Sequence, residues 1–126
     1  MPAVKIPSGY QQVMPYLIVK DAKQFMEFTK QVFEATEKHI SHKEDGSIAH
    51  AEVQIGESTI MFTNSTDQYG EQTAGLFVYV ADADEVYKKA MEAGAESLMG
   101  MSDQPYGRTC GVKDPLGNTW WVTTDV

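Results

Sequence analysis

Between Val13 and Val19 the chain is almost continuously apolar, rich in Val, Ile, Leu and Tyr, and the run stops at Asp21. A bounded run of this composition predicts a strand. Asp21 with Gln24 three residues on has the spacing of a capping box, in which the first side chain accepts a free backbone N–H at a helix start. Phe25, Phe28, Thr29, Val32 and Phe33 then recur at helical spacing and predict a helix over about 21–34. A polar strand from Glu37 to Lys43 follows, then an Asp45-Gly46 turn and a strand from Ile48 to Ile55. A tight Gly56-Glu57 turn leads into a strand from Ser58 to Thr63.

The same order then begins again, with Asp82 standing 61 residues after Asp21. Leu76 to Val80 reads as a strand, and Asp82 with Glu85 as a second capping box. Val86, Ala90 and Ala93 take the places of Phe25, Thr29 and Val32, and Gly94 supplies the left-handed cap that ends the helix. Short strands follow at Glu96 to Gly100 and Tyr106 to Lys113. Asp114-Pro115-Leu116-Gly117 has proline at the second position of a turn, and Asn118 to Thr123 is the last strand. The chain therefore reads as an α+β fold of two βαβββ modules, about 10–64 and about 75–126, within a single domain of residues 1–126. Asn64 to Ala74, polar and containing Gly70, is the linker. Neither module is large enough to close a core alone.

Alternation along the strands separates two faces. Val13, Pro15, Leu17 and Val19 are expected beneath the helix, leaving Met14, Tyr16 and Ile18 on the other face; Leu76, Val78 and Val80 oppose Gly75, Phe77 and Tyr79 in the same way. In the strand from Ile48 to Ile55, Ala49, Ala51, Val53 and Ile55 oppose Ile48, His50, Glu52 and Gln54. If the second faces look inward, they line a cavity with aromatic and sulfur-bearing side chains and a few polar groups, the usual chemistry of a small-molecule pocket.

Charge and cysteine content narrow the partners. With 18 Asp and Glu against 10 Lys and Arg, the net charge is -8, which excludes a protein built to hold phosphate backbones, so no nucleic-acid partner is expected. No apolar run reaches the ~18 to 20 residues of a membrane span, and the opening MPAVKIPSGYQQ lacks the apolar stretch of a signal peptide, so a cytoplasmic protein without a membrane partner is expected. The single cysteine, Cys110, excludes an intrachain disulfide and a multi-thiolate zinc site.

The tandem repeat, the Met14-Pro15-Tyr16-Leu17 opening and the His50-Ala51-Glu52 strand are joined by a distinctive ending. It runs Tyr106-Gly107-Arg108-Thr109-Cys110-Gly111-Val112-Lys113-Asp114-Pro115-Leu116-Gly117-Asn118-Thr119-Trp120-Trp121. Together these resemble the vicinal-oxygen-chelate (glyoxalase/bleomycin-resistance/dioxygenase) superfamily, and within it the PhnB-like branch. The resemblance implies modules forming a curved mixed sheet, and pairing of two chains as a homodimer. It spans glyoxalases, extradiol dioxygenases, epimerases, thiol transferases and antibiotic-sequestering proteins, so the fold alone does not choose a function. Metalloenzymes of the superfamily place His and Glu ligands at four strand positions, which correspond here to about Met14, Ile60, Gly75 and Trp121. None is a usual first-row ligand beyond a weak thioether, so no metal ligand and no cofactor are expected.

Several side chains then carry candidate chemistry. His50 and Glu52, at i and i+2, share a face as a ligand-contacting pair, a general base with its partner, or a replacement metal pair; the plainer reading is a hydrogen-bonded polar pair. His39 and His42 read as surface residues. Arg108 beside Tyr106 could clamp a carboxylate or phosphate, or simply pair with one of the many acids. Cys110 reads as a small buried hydrophobe, with a nucleophile as the sharper alternative. Asp114, Pro115 and Gly117 read as turn geometry. Trp120 belongs in the core, and Trp121 in the cavity, where it could stack on a planar ligand. The expected ligand-binding set is Met14, Tyr16, His50, Glu52, Phe62, Phe77, Tyr79, Tyr106, Arg108 and Trp121.

The expected function is binding of a small molecule without the usual divalent metal. The alternative is a metal-dependent or His50-assisted enzyme of the glyoxalase, dioxygenase or thiol-transferase type, with a divalent metal as its cofactor. A third reading, a fold kept for dimer assembly, would fill the cavity with Met14, Phe62, Phe77 and Trp121 themselves.

Overall fold

The computed structural model describes residues 3–126. The first repeat forms β1 (Tyr16–Val19), α1 (Ala22–Phe33), β2 (Thr36–His42), β3 (Ile48–Ile55) and β4 (Ser58–Asn64). The second forms β5 (Gly75–Tyr79), α2 (Ala83–Glu92), β6 (Glu96–Gln104), β7 (Gly107–Lys113) and β8 (Thr119–Thr124). Each repeat makes one four-stranded mixed sheet, in the orders β1-β4-β3-β2 and β5-β8-β7-β6, with the first and last strand of each module running parallel.

The repeat extends to single hydrogen bonds. Asp21 accepts the Gln24 N–H at 3.1 Å, and Asp82 the Glu85 N–H at 3.2 Å, the side-chain-to-backbone half of each capping box. The first N–H of each helix is taken by a polar side chain from the end of the same module's last strand. Ala22 donates to Asn64 Oδ1 and Ala83 to Thr124 Oγ1, both at 2.7 Å. Each helix start is thereby fixed to the sheet it covers.

The two modules join through their helix sides. Phe25 of α1 packs edge-on against Phe62 of β4, ring centroids 4.8 Å apart, and stacks at 6.4 Å on Trp120 of β8, which also lies 4.5 Å from Phe33. Trp120, Phe25 and Phe62 are essentially inaccessible, and burying each contributes about 2 to 3 kcal/mol. The shared aromatic cluster completes a core that neither module closes alone.

The first strand is shorter than its apolar run. It begins at Tyr16, and Val13 is 83% exposed. The Met61 N–H donates to Pro15 O, but the next rung of a parallel ladder would need an N–H from Pro15, and proline has none. The Gln11 side chain fills that rung instead, donating to Thr59 O at 3.0 Å and accepting the Thr59 N–H at 3.3 Å. Backbone pairing ends, and residues before Pro15 cross the sheet as an irregular segment. In the second module β6 runs past Gly100 to Gln104, with register shifts between Ser97 and Ser102.

Candidate functional site

The face of each sheet turned away from its helix carries the chemistry. In the first sheet, register places Tyr16, Met61 and Glu52 side by side across β1, β4 and β3, with His39 of β2 opposite Glu52 and Ser41 opposite His50. Four side chains at this face, Tyr10, Glu52, His50 and Tyr16, form a continuous hydrogen-bonded chain. Tyr10 donates to Glu52 Oε1 at 2.5 Å, Glu52 Oε2 lies 2.8 Å from His50 Nε2, and His50 Nδ1 lies 3.2 Å from the Tyr16 hydroxyl. Glu52 is buried, whereas Tyr16 at the far end is 49% exposed.

Burial alone would raise the Glu52 carboxyl, but the hydrogen bonds from Tyr10 and His50 more than offset it and hold the group below its ordinary value. The same contact raises the Tyr10 phenol, which keeps its proton on the bond to Glu52. An ionised Glu52 can only accept, so His50 Nε2 carries the proton, and a neutral imidazole then presents a lone pair at Nδ1. The Tyr16 hydroxyl donates to that lone pair.

Tyr10 is a member of this group that sequence reading missed. It arrives from 42 residues away, and no local pattern marks it. Its segment is anchored at several points: Lys38 sits 3.8 Å above the Tyr10 ring and donates to Gly9 O, which also accepts from Thr59 Oγ1 at 3.0 Å. Beneath the segment is a cavity of about 450 Å³ lined by Tyr10, Met14, Glu52 and Met61, among others. Met14 and Glu52 thus line one cavity.

The corresponding face of the second sheet is aromatic. Phe77, Tyr79 and Trp121 are 51%, 64% and 38% exposed. Phe77 packs edge-on against Tyr79 with ring centroids 5.2 Å apart, and Tyr106 approaches Phe77 at 6.4 Å. The Trp121 indole lies over its cross-strand partner Gly111, where a Cβ would meet the ring at 2.4 Å. Glycine at 111 is what lets the indole lie against the sheet.

Three expected positions are corrected. Phe62 does not face the open side; opposite Leu17 and Ala51, it is fully buried against Phe25, and its neighbour Met61 takes the open face. Ile60, proposed as one of the old ligand positions, is likewise buried in the core. Arg108 is not beside the aromatic face. It points to the helix side, where it makes two hydrogen bonds to Asp84 of α2, at 2.8 and 3.0 Å, and one to Asp103 at 3.1 Å. Alternation with the buried Cys110 and Val112 was the available signal for that orientation.

Other residues stand as read. His39 and His42 are exposed, Trp120 is in the core, and Cys110 is buried, its thiol pushed up to about 11 chiefly by that burial. Asp114 organises its turn, accepting from the backbone of Leu116 and Asn118.

The divalent metal implied by the resemblance does not fit these residues. The strand positions offer Met14, Met61 in place of Ile60, Gly75 and Trp121, and among the described residues no three His, Cys, Asp or Glu side chains are grouped to share an ion. A larger cleft of about 840 Å³ between the modules is lined by Phe33, Trp120, Leu76 and Val86 and, from β5, also by Phe77 and Tyr79. It contains neither His50 nor Trp121.

Comparison with known proteins agrees with this architecture. The family model of the Glyoxalase/Bleomycin resistance protein/Dioxygenase superfamily matches residues 9–122. The chain is 29% identical over 118 residues to the uncharacterized protein Mb0911c of Mycobacterium bovis, covering 84% of this chain and 78% of that one. Among solved structures it is similar to TioX from Micromonospora sp. ML1, with a TM-score of 0.73 and 24% identity over 92% of this chain and 97% of that one. It is also similar to TnmS3, an antibiotic binding protein from Streptomyces sp. CB03234, with a TM-score of 0.71 and 15% identity over 93% and 100% of the two chains. The PhnB protein from Bacillus cereus gives a TM-score of 0.71 at 18% identity over 90% and 99%. At these identities the structural likenesses establish the fold.

Proposed function

Because the chain belongs to the glyoxalase/bleomycin resistance protein/dioxygenase superfamily, we propose that it binds a small planar aromatic molecule, without a divalent metal at the family's usual positions. The observation that carries this reading is the sheet face of Phe77, Tyr79 and Trp121, left open to solvent on strands whose former ligand positions hold no metal donors. Exposed aromatic groups beside a few polar ones suit a planar ligand, and the antibiotic binding protein TnmS3 shares the fold.

The half-sites complete one another in a homodimer. The modules of one chain are joined through their helix sides, so the aromatic face of one copy is free to close over the Tyr16 and His50 face of its partner. Isologous pairing would make two equivalent sites. We place the protein in the cytoplasm, in keeping with a single buried, unpaired cysteine and with the fact that no helix among the described residues is long and apolar enough to cross a membrane. A His50-assisted enzyme is the second reading, favoured by the Glu52, His50 and Tyr16 chain alone.

The test is a titration of the protein, freed of metal by chelation, with planar aromatic compounds, following tryptophan emission and sedimentation together. Saturable quenching that is lost in Trp121→Leu, in a species of twice the 14.0 kDa chain mass, is expected. A monomer that quenches with no aromatic compound would overturn the reading, and turnover abolished by His50→Ala would favour the enzyme.

A further inference from the structure

We propose, resting on the reading just given, that Tyr16 is the polar contact of this site and that Glu52 and His50 act as positioning residues for its hydroxyl, so that the ligand is an aromatic molecule carrying a hydroxyl or similar hydrogen-bond donor. Because Nδ1 of His50 receives the Tyr16 proton at 3.2 Å, the exposed side of the Tyr16 oxygen is left with lone pairs only. A hydroxyl or N–H on the ligand is satisfied there, whereas an ether or ketone oxygen meets another acceptor. Donation in this chain converges on Glu52 from both ends. The Tyr10 proton and the His50 Nε2 proton both point at Glu52, and only a carboxylate accepts both.

The surroundings keep this order in place. From β1 the imidazole is faced by Tyr16, from β2 by His39 at 6.1 Å between rings, and along β3 by Glu52. At the Tyr10 end, the Lys38 ammonium lies over the Tyr10 ring. No group competes for Nδ1 except Tyr16 among the described contacts. Glu52→Gln should reverse the arrangement. With Tyr10 still donating to the amide oxygen, the amide N–H of the variant faces Nε2, the imidazole proton moves to Nδ1, and the Tyr16 hydroxyl turns outward as a donor.

The experiment uses the full-length protein at pH 8, above the ordinary histidine range, with 2-naphthol and 2-methoxynaphthalene as probes of equal aromatic body. Nitrogen-15 spectra of the His50 ring report the tautomer, and the Trp121 indole N–H reports binding of both probes. The expected result is an Nε2–H tautomer, with the naphthol-to-methoxynaphthalene affinity ratio about fivefold higher than in Tyr16→Phe, the size of one net hydrogen bond. In Glu52→Gln the tautomer should switch and the ratio fall to the Tyr16→Phe level. Binding of both probes with the same ratio in the wild type and Tyr16→Phe overturns the inference and leaves the aromatic site standing. Binding of neither overturns both. If Glu52→Gln does not fold, the Tyr16→Phe comparison decides alone.

Discussion

The Trp120 indole N–H donates to Asp114 Oδ2 at 2.9 Å, which joins the largest buried side chain of the second module to the turn that precedes its last strand. Asp114 is itself buried, and the same carboxylate accepts from Leu116 N, Asn118 N and Asn118 Nδ2. Asn118 Oδ1 in turn receives the Ala74 N–H at 2.9 Å, which fixes the linker where it enters β5. Asp114→Ala leaves several buried donors without a partner, and a destabilisation of about 3 kcal/mol is expected. Urea unfolding at fixed protein concentration should show a lower midpoint with an unchanged slope. A shift of less than about 1 kcal/mol would mean that water replaces the carboxylate.

Gly111 and Trp121 make a second pairing with a direct readout. A Cβ at 111 falls 2.4 Å from the indole, whereas one at Gly75 meets nothing within 4 Å. Gly111→Ala should lift the indole off β7, shift the exposed component of tryptophan emission and weaken binding of a planar ligand roughly tenfold, an overpacking cost of about 1 to 2 kcal/mol. Gly75→Ala should do none of these. Equal effects from the two variants would show that backbone freedom, not the seat of the indole, is what glycine supplies.

Much of the fold was legible because it is written twice. The Asp21 and Asp82 caps recur at one spacing, and in β3 the exchange of His50, Glu52 and Gln54 with Ala51, Val53 and Ile55 separates the faces, although Ile48, which begins the polar face, is buried in the core. β4 offered no such contrast: Ile60, Met61 and Phe62 are consecutive and apolar, and only pairing with β1 and β3 decides that Met61 is the open-face residue. Tyr10 was illegible for a different reason. Its role depends on an irregular segment held by the Gln11 and Lys38 side chains, and such contacts leave no period in the sequence.

Cys110 predicts a pH dependence of known sign. Burial raises the folded-state thiol to about 11, above an ordinary value near 9. The unfolded chain therefore loses this proton first as pH rises, and the stability due to the buried neutral thiol is complete below about pH 8.5 and lost progressively up to about pH 11. The difference in unfolding free energy between wild type and Cys110→Ala should narrow across that window. Folded protein at pH 8 should also resist a thiol reagent that labels it at once in denaturant. Rapid labelling of the folded protein would mean that the thiol is reached by opening of β7 from β8.

The end of α1 carries a residue that pays for its position. Glu34 closes the helix in the left-handed region, φ 55 and ψ 36, the one non-glycine residue with positive φ among those described. Its side chain is exposed, and the Ala35 N–H that follows bonds back to Thr29 O at 3.2 Å, so the turn is set by backbone geometry and not by the carboxylate. A left-handed conformation costs an L-residue about 1 kcal/mol or more that glycine does not incur, against a smaller entropic loss from freeing the unfolded chain. The corresponding place after α2 is already held by Gly94, at φ 95. Glu34→Gly should therefore stabilise the protein by about 0.5 to 1 kcal/mol, read as a rise in the thermal midpoint. Glu34→Ala, which keeps the Cβ and removes the charge, separates the two contributions: an equal rise in both variants would assign the gain to lost charge instead of backbone relief.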